Sequence, residues 1–239
     1  MQSFQFDTIG HIESPYKEKF AIPRQPGLVP GGVGRLHLHP PFNDANTVRG
    51  LMQFSHIWVI FVFHQTMKGG WKPLVRPPRL GGNDKMGVFA TRSTFRPNPI
   101  GMSLVELKGV SIKNNQAILE LGSLDLVDGT PVIDIKPYLP FAEAIPEATA
   151  GYAQAAPSDN MQVIFTPAVE NQLVSYQHQY PALKQFIEQI LMQDPRPAYK
   201  KQSTEIRDYA VHLLDFNIRW RVFNGVTEVF AIEPYEKTC

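Results

Sequence analysis

HIWVIFVFH, residues 56–64, is the stretch that decides the fold class of this chain. Its β-branched and aromatic residues predict a buried strand. The apolar run inside it, residues 57–63, is far too short to span a bilayer. His64 and the next residue, Gln65, end the strand with polar side chains, at the position where a barrel would have its mouth.

Shorter strand-like runs, separated by Gly and Pro, lie on both sides of this stretch. Many short strands of this kind are typical of an antiparallel barrel or a sandwich. From the residues alone we predict a mainly β fold whose N-terminal domain, residues 1–150, is an antiparallel β-barrel or a sandwich. A short helix is predicted at 43–55, and KNNQ at 113–116 has the composition of a hairpin turn. The predicted strands are 4–12, 34–39, 56–64, 87–91, 103–112, 116–124 and 131–139.

The composition changes at residues 140–160, which are rich in Ala, Pro and small polar residues and predict a connector. Beyond the connector, a Thr-Pro pair at 166–167 is typical of a helix start. Apolar residues at helical spacing across 183–191 predict a helix, and the Asn-Gly pair at 224–225 predicts a hairpin. Residues 160–239 are therefore expected to form a small C-terminal α+β domain.

The overall composition bounds the class of protein. Hydrophobic residues make up 43% and charged residues 19% of the 239 residues, which predicts a packed core rather than a disordered chain. The N-terminus has no basic patch followed by an apolar stretch, so no signal peptide is expected. The single cysteine, Cys239, excludes an internal disulfide framework and thiolate zinc sites, and it fits a cytoplasmic location.

The charge is distributed unevenly along the chain, although its net value is only +1. Residues 1–96 hold 12 Lys and Arg against 5 Asp and Glu, whereas residues 97–239 hold 11 against 17. A basic half is the pattern expected for a polyanionic partner. On charge alone, a chance asymmetry of a solvated surface explains the pattern equally well.

Several motifs of nucleotide and metal chemistry do not meet their structural requirements here. The glycine-rich PGGVG at 30–34 is followed neither by Lys-Ser/Thr nor by a predicted helix, so it indicates a loop rather than a phosphate site. The sequence has no strand–GxGxxG–helix unit and no GxSxG motif. His37 and His39 share a strand face without a third ligand nearby, so a metal site is not expected.

GVFATRSTFRPNPIGMS, residues 87–103, is a polar segment with an unusually constrained backbone. Pro97 and Pro99 cannot donate backbone hydrogen bonds and fix their own φ angles. They also push the residues before them out of the helical region. The segment is therefore predicted to be stiff and to hold three polar side chains in a fixed geometry: Arg92, Arg96 and Asn98.

Four further polar segments are similarly stiff or lie at strand ends. Ordinary turn chemistry explains any one of them alone. Together with residues 87–103, however, they make five polar segments in one all-β unit, and such a set predicts a single binding mouth. They are PRQPG at 23–27, FHQT at 63–66, RPPRLGG at 76–82 and SLDLVDGTPVIDIKPY at 123–138.

With these segments in view, the chain closely resembles the TrmO (TsaA-like) family of tRNA methyltransferases. The resemblance rests on FATRSTFRPNPIGMS, LDLVDGTPVIDIKPY, PRQPG and FHQT, and it extends to DPRPAY and FNIRWRV near the C-terminus. It implies a β-barrel enzyme that uses S-adenosylmethionine to methylate N6 of threonylcarbamoyladenosine beside the anticodon of threonine tRNA. It also implies a homodimer whose site lies near the subunit boundary.

The resemblance implies a set of cofactor-binding residues. Arg92 suits the carboxylate of S-adenosylmethionine through a forked, charge-assisted pair. Gln25 and Asp125 suit the ribose hydroxyls or the amine, and carbonyls near Gly27 and Leu124 suit the sulfonium. The full expected set is Gln25, Pro26, Gly27, His64, Gln65, Arg92, Met102, Gly122, Ser123, Leu124 and Asp125.

The acceptor nitrogen of the implied substrate is a poor nucleophile, so alignment and removal of its proton are the expected aids. Asp128, Asp134 and Tyr138 are the candidate catalytic groups, with ordinary strand or turn hydrogen bonds as the alternative. Arg96 or Arg76 suits the threonyl carboxylate. The residues expected to contact the RNA substrate are Arg76, Arg79, Arg96 and Asn98. The cations expected to contact tRNA phosphates are Lys68, Lys72, Arg76, Arg79 and Lys85. Trp71 is expected to stack on an unpaired base.

Two other classes of protein remain open from the residues alone. A non-catalytic RNA-binding β-barrel would share the basic half and Trp71, but it has no use for a stiff mouth around Arg92 and Asp125. A hydrolase of small phosphates is disfavoured because the metal ligands and the phosphate-binding loop are missing. Binding of S-adenosylhomocysteine distinguishes these classes.

Overall fold

The structure is a computed structural model that describes residues 2–113, 116–157, 161–197, 200–201 and 205–235. Its first part contains the strands β1 (Gly10–Glu13), β2 (Gly34–Leu38), β3 (His56–Val62), β4 (Leu74–Val75), β5 (Met86–Gly87), β6 (Ile100–Lys113), β7 (Gln116–Gly122) and β8 (Pro131–Pro137), with the short helix α1 (Pro140–Glu143). Its second part contains β9 (Gln162–Phe165), α2 (Pro167–Tyr176), α3 (Leu183–Met192), β10 (Asp208–Leu213), β11 (Phe216–Phe223) and β12 (Val226–Pro234).

Six strands of the first part form a closed barrel in the order β1-β2-β7-β6-β3-β8. Every neighbouring pair is antiparallel, and β1 against β8 closes the barrel. Closure satisfies the edge groups that an open sheet would leave unpaired. The prediction of a mainly β fold with an N-terminal antiparallel barrel is confirmed, and the sandwich is excluded.

β3 lies between β6 and β8 in the barrel, and its two faces differ. Ile57, Val59 and Phe61 point inward and are buried. The alternate residues between them are partly exposed on the outside, although they are also apolar. The expected fully buried strand is therefore buried on one face only, and its outer face adds apolar surface to the barrel exterior.

The second part is a four-stranded sheet in the order β10-β11-β12-β9 with two helices against it. β9 runs parallel to β12, whereas the other pairs are antiparallel. The helix start predicted at the Thr-Pro pair is correct, because the Thr166 hydroxyl accepts a hydrogen bond from Val169 N as an N-cap. The C-terminal α+β unit is confirmed.

The cores of the two parts form one continuous cluster of buried side chains. Tyr16, which lies between β1 and β2, is fully buried and packs its ring 5.9 Å from that of Phe186 on α3. Phe20 stacks on Trp220 of β11 at 6.5 Å. The segment between β1 and β2 therefore joins the barrel to the C-terminal sheet.

Three local predictions differ from the structure. Residues 87–91 form only the end of β5 and a 3-10 turn over Val88–Ala90, in which the Val88 carbonyl accepts from the backbone N–H and the hydroxyl of Thr91. The Arg96 guanidinium donates to the Thr91 carbonyl at the end of this turn. The segment 43–55 contains turns and a 3-10 turn at Leu51–Gln53 rather than an α-helix. The first strand begins at Gly10, later than expected.

Two further expectations lie wholly or partly outside the described residues. Cys239 is beyond them, and so are residues 114–115 of the predicted hairpin turn, although Lys113 and Gln116 on either side are paired. Across the described part of the chain, no helix combines the length and the apolar character needed to cross a membrane.

Candidate cofactor site

A pocket of about 480 Å³ opens at the end of the barrel where β3 ends and β6 begins. Its walls come from segments that are far apart in the sequence and that barrel closure brings together. Side chains with hydrogen-bonding or charged groups on these walls are Lys19, Arg24, Gln25, His64, Gln65, Thr66, Thr91, Arg92, Thr94, Arg96, Ser103, Asp125 and Thr130.

The proline-stiffened segment builds the mouth of this pocket. Phe63 N donates to Pro99 O at 2.8 Å, which extends the pairing of β3 and β6 by one step beyond the strands. A Cβ on Gly101 would lie 2.4 Å from the ring of Phe61 and 2.8 Å from that of Phe63, so only glycine fits there. The close approach sets the floor of the mouth beneath His64 and Gln65.

Arg92 and Gln25 meet across 67 residues of sequence. An Arg92 guanidinium nitrogen donates to Gln25 Oε1 at 2.5 Å. The Gln25 amide nitrogen in turn donates to the carbonyl of Arg24. The hydrogen bond ties the two stiff loops together at one wall of the pocket and leaves the rest of the exposed guanidinium fork available to a ligand.

Ser123 holds the loop that carries Gln25. Gly27, with φ of +85°, donates its backbone N–H to Ser123 Oγ at 2.8 Å, and the Ser123 hydroxyl donates to Val29 O at 3.0 Å. Leu124 N donates to Gly32 O at 2.7 Å. Residues 27–32 are therefore fastened to the end of the barrel strand β7.

Asp125 is the acidic group of the pocket. It accepts a hydrogen bond from the Ser103 hydroxyl at 2.7 Å. Burial raises its pKa to about 6, while the Ser103 hydrogen bond and the charge of Arg92 act in the opposite direction. A carboxylate beside a guanidinium on one wall suits a ligand that carries both an ammonium and a carboxylate group.

Arg96 is held by the backbone of its own loop. Its guanidinium donates to Thr91 O at 2.8 Å and to Val88 O at 3.4 Å. It lies 5.9 Å from the ring centre of Phe89, whose side chain is 77% exposed at the rim. A fixed cation and an exposed aromatic ring therefore stand side by side at the mouth.

Part of the predicted cofactor-binding set lines the pocket, and the other predicted residues lie outside the pocket lining. Pro26, Gly27 and Gly122–Leu124 do not line the pocket, and Gly27, Ser123 and Leu124 among them form the support described above. Asn98 is exposed on the rim loop, and Arg76 and Arg79 are exposed outside the lining. The predicted residues that line the pocket are Gln25, His64, Gln65, Arg92, Arg96, Met102 and Asp125.

The three candidate catalytic groups do not line the pocket. Asp128 accepts from Ser14 N at 2.8 Å and pairs with Lys17 at 2.9 Å. Asp134 pairs with Lys136 at 2.9 Å. Tyr138 lies at the far end of the barrel wall, because its backbone N–H donates to His56 at the start of β3, whereas the mouth is at the end of β3.

Sequence reasoning assigned no role to seven polar residues that line the pocket: Lys19, Arg24, Thr66, Thr91, Thr94, Ser103 and Thr130. Arg24, Thr66, Thr91 and Thr94 lie within the polar segments that the sequence singled out. Ser103 is a buried polar residue in the inward-facing series of β6, and an interrupted apolar alternation was the available signal. Lys19, which donates to Gln65 O at 3.3 Å, and the buried Thr130 reach the site only through the closed barrel. No local pattern marks either of these two.

The histidines of β1 and β2 form a separate cluster. His37 lies 2.6 Å from a Glu13 carboxylate oxygen, and His39 lies 2.7 Å from His11. Burial and the neighbouring His37 and His39 lower the pKa of His11. Within the described ranges, no group of three or more His, Cys, Asp or Glu side chains has the arrangement that would hold a metal ion.

The chain matches two domain families along nearly its whole length. Residues 11–144 match the family described as the tRNA-methyltransferase O N-terminal domain, and residues 158–235 match the TrmO C-terminal domain.

Relatives and solved structures give the same result. The chain is 65% identical to the tRNA (adenine(37)-N6)-methyltransferase of Escherichia coli strain K12, over 98% of this chain and all of that protein. It is 46% identical, over 89% of this chain and 90% of the relative, to a Pseudomonas aeruginosa protein whose name assigns it to the S-adenosylmethionine-dependent methyltransferases. The crystal structure of TrmO from Pseudomonas aeruginosa superposes with a TM-score of 0.79 at 37% identity, covering 97% of this chain and 98% of that one.

Asp125→Asn tests the electrostatic cost of the buried carboxylate. Because the folded pKa lies above the ordinary value of 3.8, the native state binds this proton more tightly than the unfolded state does. The contribution of Asp125 to the free energy of unfolding of the wild type therefore falls as the pH rises from about 4 to 6. Above pH 6 the carboxylate is ionised in the folded and the unfolded state, and the destabilisation is complete. We expect the variant to be more stable than the wild type by about 1–3 kcal/mol at pH 8, and the gain to vanish near pH 4.

The measurement is urea denaturation of both proteins at the two pH values. Asp84→Asn, which alters an exposed aspartate outside the pocket, serves as the control. An Asp125→Asn gain of equal size at both pH values would show that the effect is not electrostatic.

Proposed function

This chain belongs to the tRNA-methyltransferase O family, and we propose that it transfers the methyl group of S-adenosylmethionine to N6 of adenine 37 in a tRNA. The cofactor of the family is S-adenosylmethionine, and its enzymes are tRNA methyltransferases. The Escherichia coli relative, a tRNA (adenine(37)-N6)-methyltransferase, supports adenine 37 as the acceptor. The alternative, a non-catalytic RNA-binding barrel, leaves the pocket chemistry without a use.

The observation that carries the proposal is that Arg92, Gln25 and Asp125 line the same pocket, with Gln25 hydrogen-bonded to Arg92 and Asp125 within reach of the Arg92 charge. The Arg92 guanidinium is suited to bind the carboxylate of the cofactor, and Asp125 is suited to accept from its ammonium or ribose hydroxyls. The Gln25–Arg92 hydrogen bond presets the guanidinium before a ligand arrives, which lowers the entropy lost on binding.

Bound S-adenosylmethionine supplies an electrophilic methyl group on a cationic sulfonium. Arg92 and Asp125 would hold the cofactor by its amino-acid end and ribose, Arg92 being positioned by Gln25, and the methyl group would be offered to the acceptor N6. The pocket residues hold the two reactants in line and exclude water, which is the main source of acceleration for such a step.

Among the residues that the structure describes, Asp125 is the one carboxylate that lines the pocket, and the candidates for the proton acceptor that the sequence suggested lie outside the lining. Asp128 and Asp134 are each paired with a lysine already. These two residues and Tyr138 therefore stay predictions as catalytic groups. We propose that alignment, rather than a strong base, provides most of the rate.

We further propose that the acceptor adenine carries a threonylcarbamoyl group and belongs to a threonine tRNA, as the family resemblance implies. The threonyl carboxylate needs a cationic partner at the pocket rim. Arg96 is held at that rim by two backbone carbonyls, so its position costs little further ordering. We also propose a cytoplasmic location, where tRNA is modified.

Arg92→Ala tests the cofactor assignment. Loss of a charge-assisted pair is expected to weaken binding of S-adenosylhomocysteine by about 10- to 100-fold. Isothermal titration calorimetry gives the affinity, and mass spectrometry of nucleosides from threonine tRNA gives the methylated product. Arg49→Ala, an exposed arginine outside the pocket, is the matched control. If Arg92→Ala binds S-adenosylhomocysteine normally, Arg92 does not bind the cofactor carboxylate. If the wild-type protein binds S-adenosylhomocysteine but yields no methylated nucleoside, the non-catalytic alternative is supported.

The surface beside the pocket mouth is basic and aromatic, and we propose that it binds the anticodon stem and loop. Trp71 is 57% exposed. Lys72 donates its backbone N–H to Phe95 O and places its ammonium 4.6 Å from the centre of that ring. These contacts attach the segment with Trp71 directly to the loop that carries Arg92 and Arg96. Its exposed cations are Lys68, Lys72, Arg76, Arg79 and Lys85.

Two substitutions separate charge from stacking on this surface. Lys72→Ala should weaken tRNA binding and reduce the slope of log affinity against log salt by about 1, because one phosphate contact is lost. Trp71→Ala should weaken binding by about 1–3 kcal/mol without changing that slope. Filter binding at several salt concentrations measures both, and neither variant should alter the affinity for S-adenosylhomocysteine. A wild-type affinity that does not respond to salt would exclude phosphate contacts here.

We propose that the protein is a homodimer through the outer face of β3 and β6. The cross-strand pairs on this face are Trp58–Leu104, Ile60–Met102 and Val62–Ile100, so apolar side chains form a continuous patch. Met102 is 53% exposed, and Phe141 next to this wall is 90% exposed. Patches of this kind mark interaction sites. Because Ile100 and Met102 also line the pocket, the proposed interface adjoins the site.

Leu104→Lys tests the dimer without touching the pocket lining. A charge placed opposite Trp58 should be strongly unfavourable in an apolar interface, so we expect the dimer to dissociate at micromolar concentration. Light scattering after size-exclusion chromatography measures the mass. Glu106→Gln, an exposed change on the same strand, should leave the mass unchanged. A wild-type protein with the mass of a monomer would refute the dimer.

A further inference from the structure

The loop between β1 and β2 is bound on one side by the barrel. Its residues 27–32 hydrogen-bond to Ser123 and Leu124, as described above. Its earlier residues, 24–25, line the pocket and position Arg92 through Gln25. The geometry of this cofactor loop (residues 24–32) therefore determines where the carboxylate-binding guanidinium stands.

The other side of the cofactor loop is bound by the C-terminal domain. Gly31 N donates to Gln189 Oε1 of α3 at 2.8 Å. The amide nitrogen of Gln193, at the C-terminal cap of α3, donates to Leu28 O at 3.3 Å. Residues four apart share a helix face, so one face of α3 satisfies an acceptor and a donor of the same loop.

Close packing accompanies these two hydrogen bonds. A Cβ on Gly31 would lie 3.1 Å from Gln189 Oε1 and 3.3 Å from the ring of Phe186. A Cβ on Gly32 would lie 2.1 Å from the Tyr16 hydroxyl. The two glycines of the PGGVG stretch therefore allow α3 and Tyr16 to approach the loop backbone directly, a role that no phosphate-binding motif explains.

From these contacts we infer that Gln189 and Gln193 are positioning residues for the cofactor and that α3 of the C-terminal domain completes the cofactor-binding site. They touch neither the pocket nor the reacting atoms. They act through the cofactor loop, whose far end holds Gln25 against Arg92. The inference rests on the proposed use of S-adenosylmethionine in this pocket.

The two glutamines act through opposite hydrogen-bonding groups, which makes the inference specific. Gln189 contributes an acceptor, so a carboxylate in its place retains the bond to Gly31 N. Gln193 contributes a donor, so a carboxylate in its place faces the Leu28 carbonyl with no proton to give. Gln189→Glu should therefore preserve the cofactor site, whereas Gln193→Glu should damage it, although both changes add one negative charge on the same helix face.

The test measures S-adenosylhomocysteine affinity by calorimetry, together with kcat and the KM values for S-adenosylmethionine and tRNA. Gln189→Leu and Gln193→Glu should each raise the Kd and the KM for S-adenosylmethionine by about 5- to 10-fold, since each loses one hydrogen bond. The kcat at saturating cofactor and the KM for tRNA should stay at wild-type values. Gln189→Glu should lie within about twofold of the wild type.

Gln185→Leu, an exposed glutamine on the same helix, controls for apolar substitution. If Gln189→Leu and Gln193→Glu lower the melting temperature but bind S-adenosylhomocysteine as Gln185→Leu does, the residues are merely structural and the inference fails. Equal weakening by both Glu variants would overturn it as well, because charge rather than hydrogen-bond polarity would then decide the effect. If Gln189→Leu does not fold, the comparison of the two Glu variants decides the matter. Absence of binding by the wild-type protein would instead refute the proposed function.

Discussion

The hydrogen bonds on both sides of residues 27–32 are the constraint on which the rest of the site depends. On one side Ser123 and Leu124 bind this backbone, and on the other Gln189 and Gln193 bind it. A loop of this length would otherwise pay a large entropy cost for order. With its backbone groups satisfied by rigid elements, it holds Gln25 at the pocket wall, and Gln25 holds Arg92.

The pocket combines this rigidity with an unfavourable charge. Asp125 is kept in a site where burial raises its pKa to about 6, and the nearby Arg92 and Ser103 offset part of that cost. Functional sites commonly retain groups that stability alone would remove. Here a carboxylate and a guanidinium on one wall form the complement of an amino-acid end group, which is the part of S-adenosylmethionine that carries both charges.

The barrel also explains why binding surfaces of different character adjoin each other. The outer face is apolar where Trp58–Val62 of β3 pairs with Ile100–Leu104 of β6, whereas the loops at the mouth end of these strands are polar and basic. A strand alternates its side chains between two faces, so one short apolar stretch supplies the core and the outer patch together. Cofactor, tRNA and a second protomer are thus proposed to meet at one end of one barrel wall.

The sequence by itself determined most of the barrel strands, the stiff turns and the family. Its apolar alternation is a local property, and the prolines around Asn98 limit the backbone wherever the chain goes, so a β-rich domain with a stiff polar mouth was predictable. The family resemblance then implied the barrel. Arg92, His64 and Gln65 were identified on the same basis with the help of the resemblance, and all three line the pocket.

Only the tertiary structure decided which polar groups meet. Asp128 and Asp134 follow Asp125 closely in sequence, but strand direction and register send them to other partners, whereas Ser103, 22 residues away, reaches Asp125. Residues 87–91 have strand-like composition, yet Thr91 binds the Val88 carbonyl within a 3-10 turn and the Arg96 guanidinium binds the Thr91 carbonyl. The contact of α3 with the cofactor loop spans more than 150 residues. Such contacts follow from closure of the barrel and docking of the second sheet, and no local periodicity encodes them.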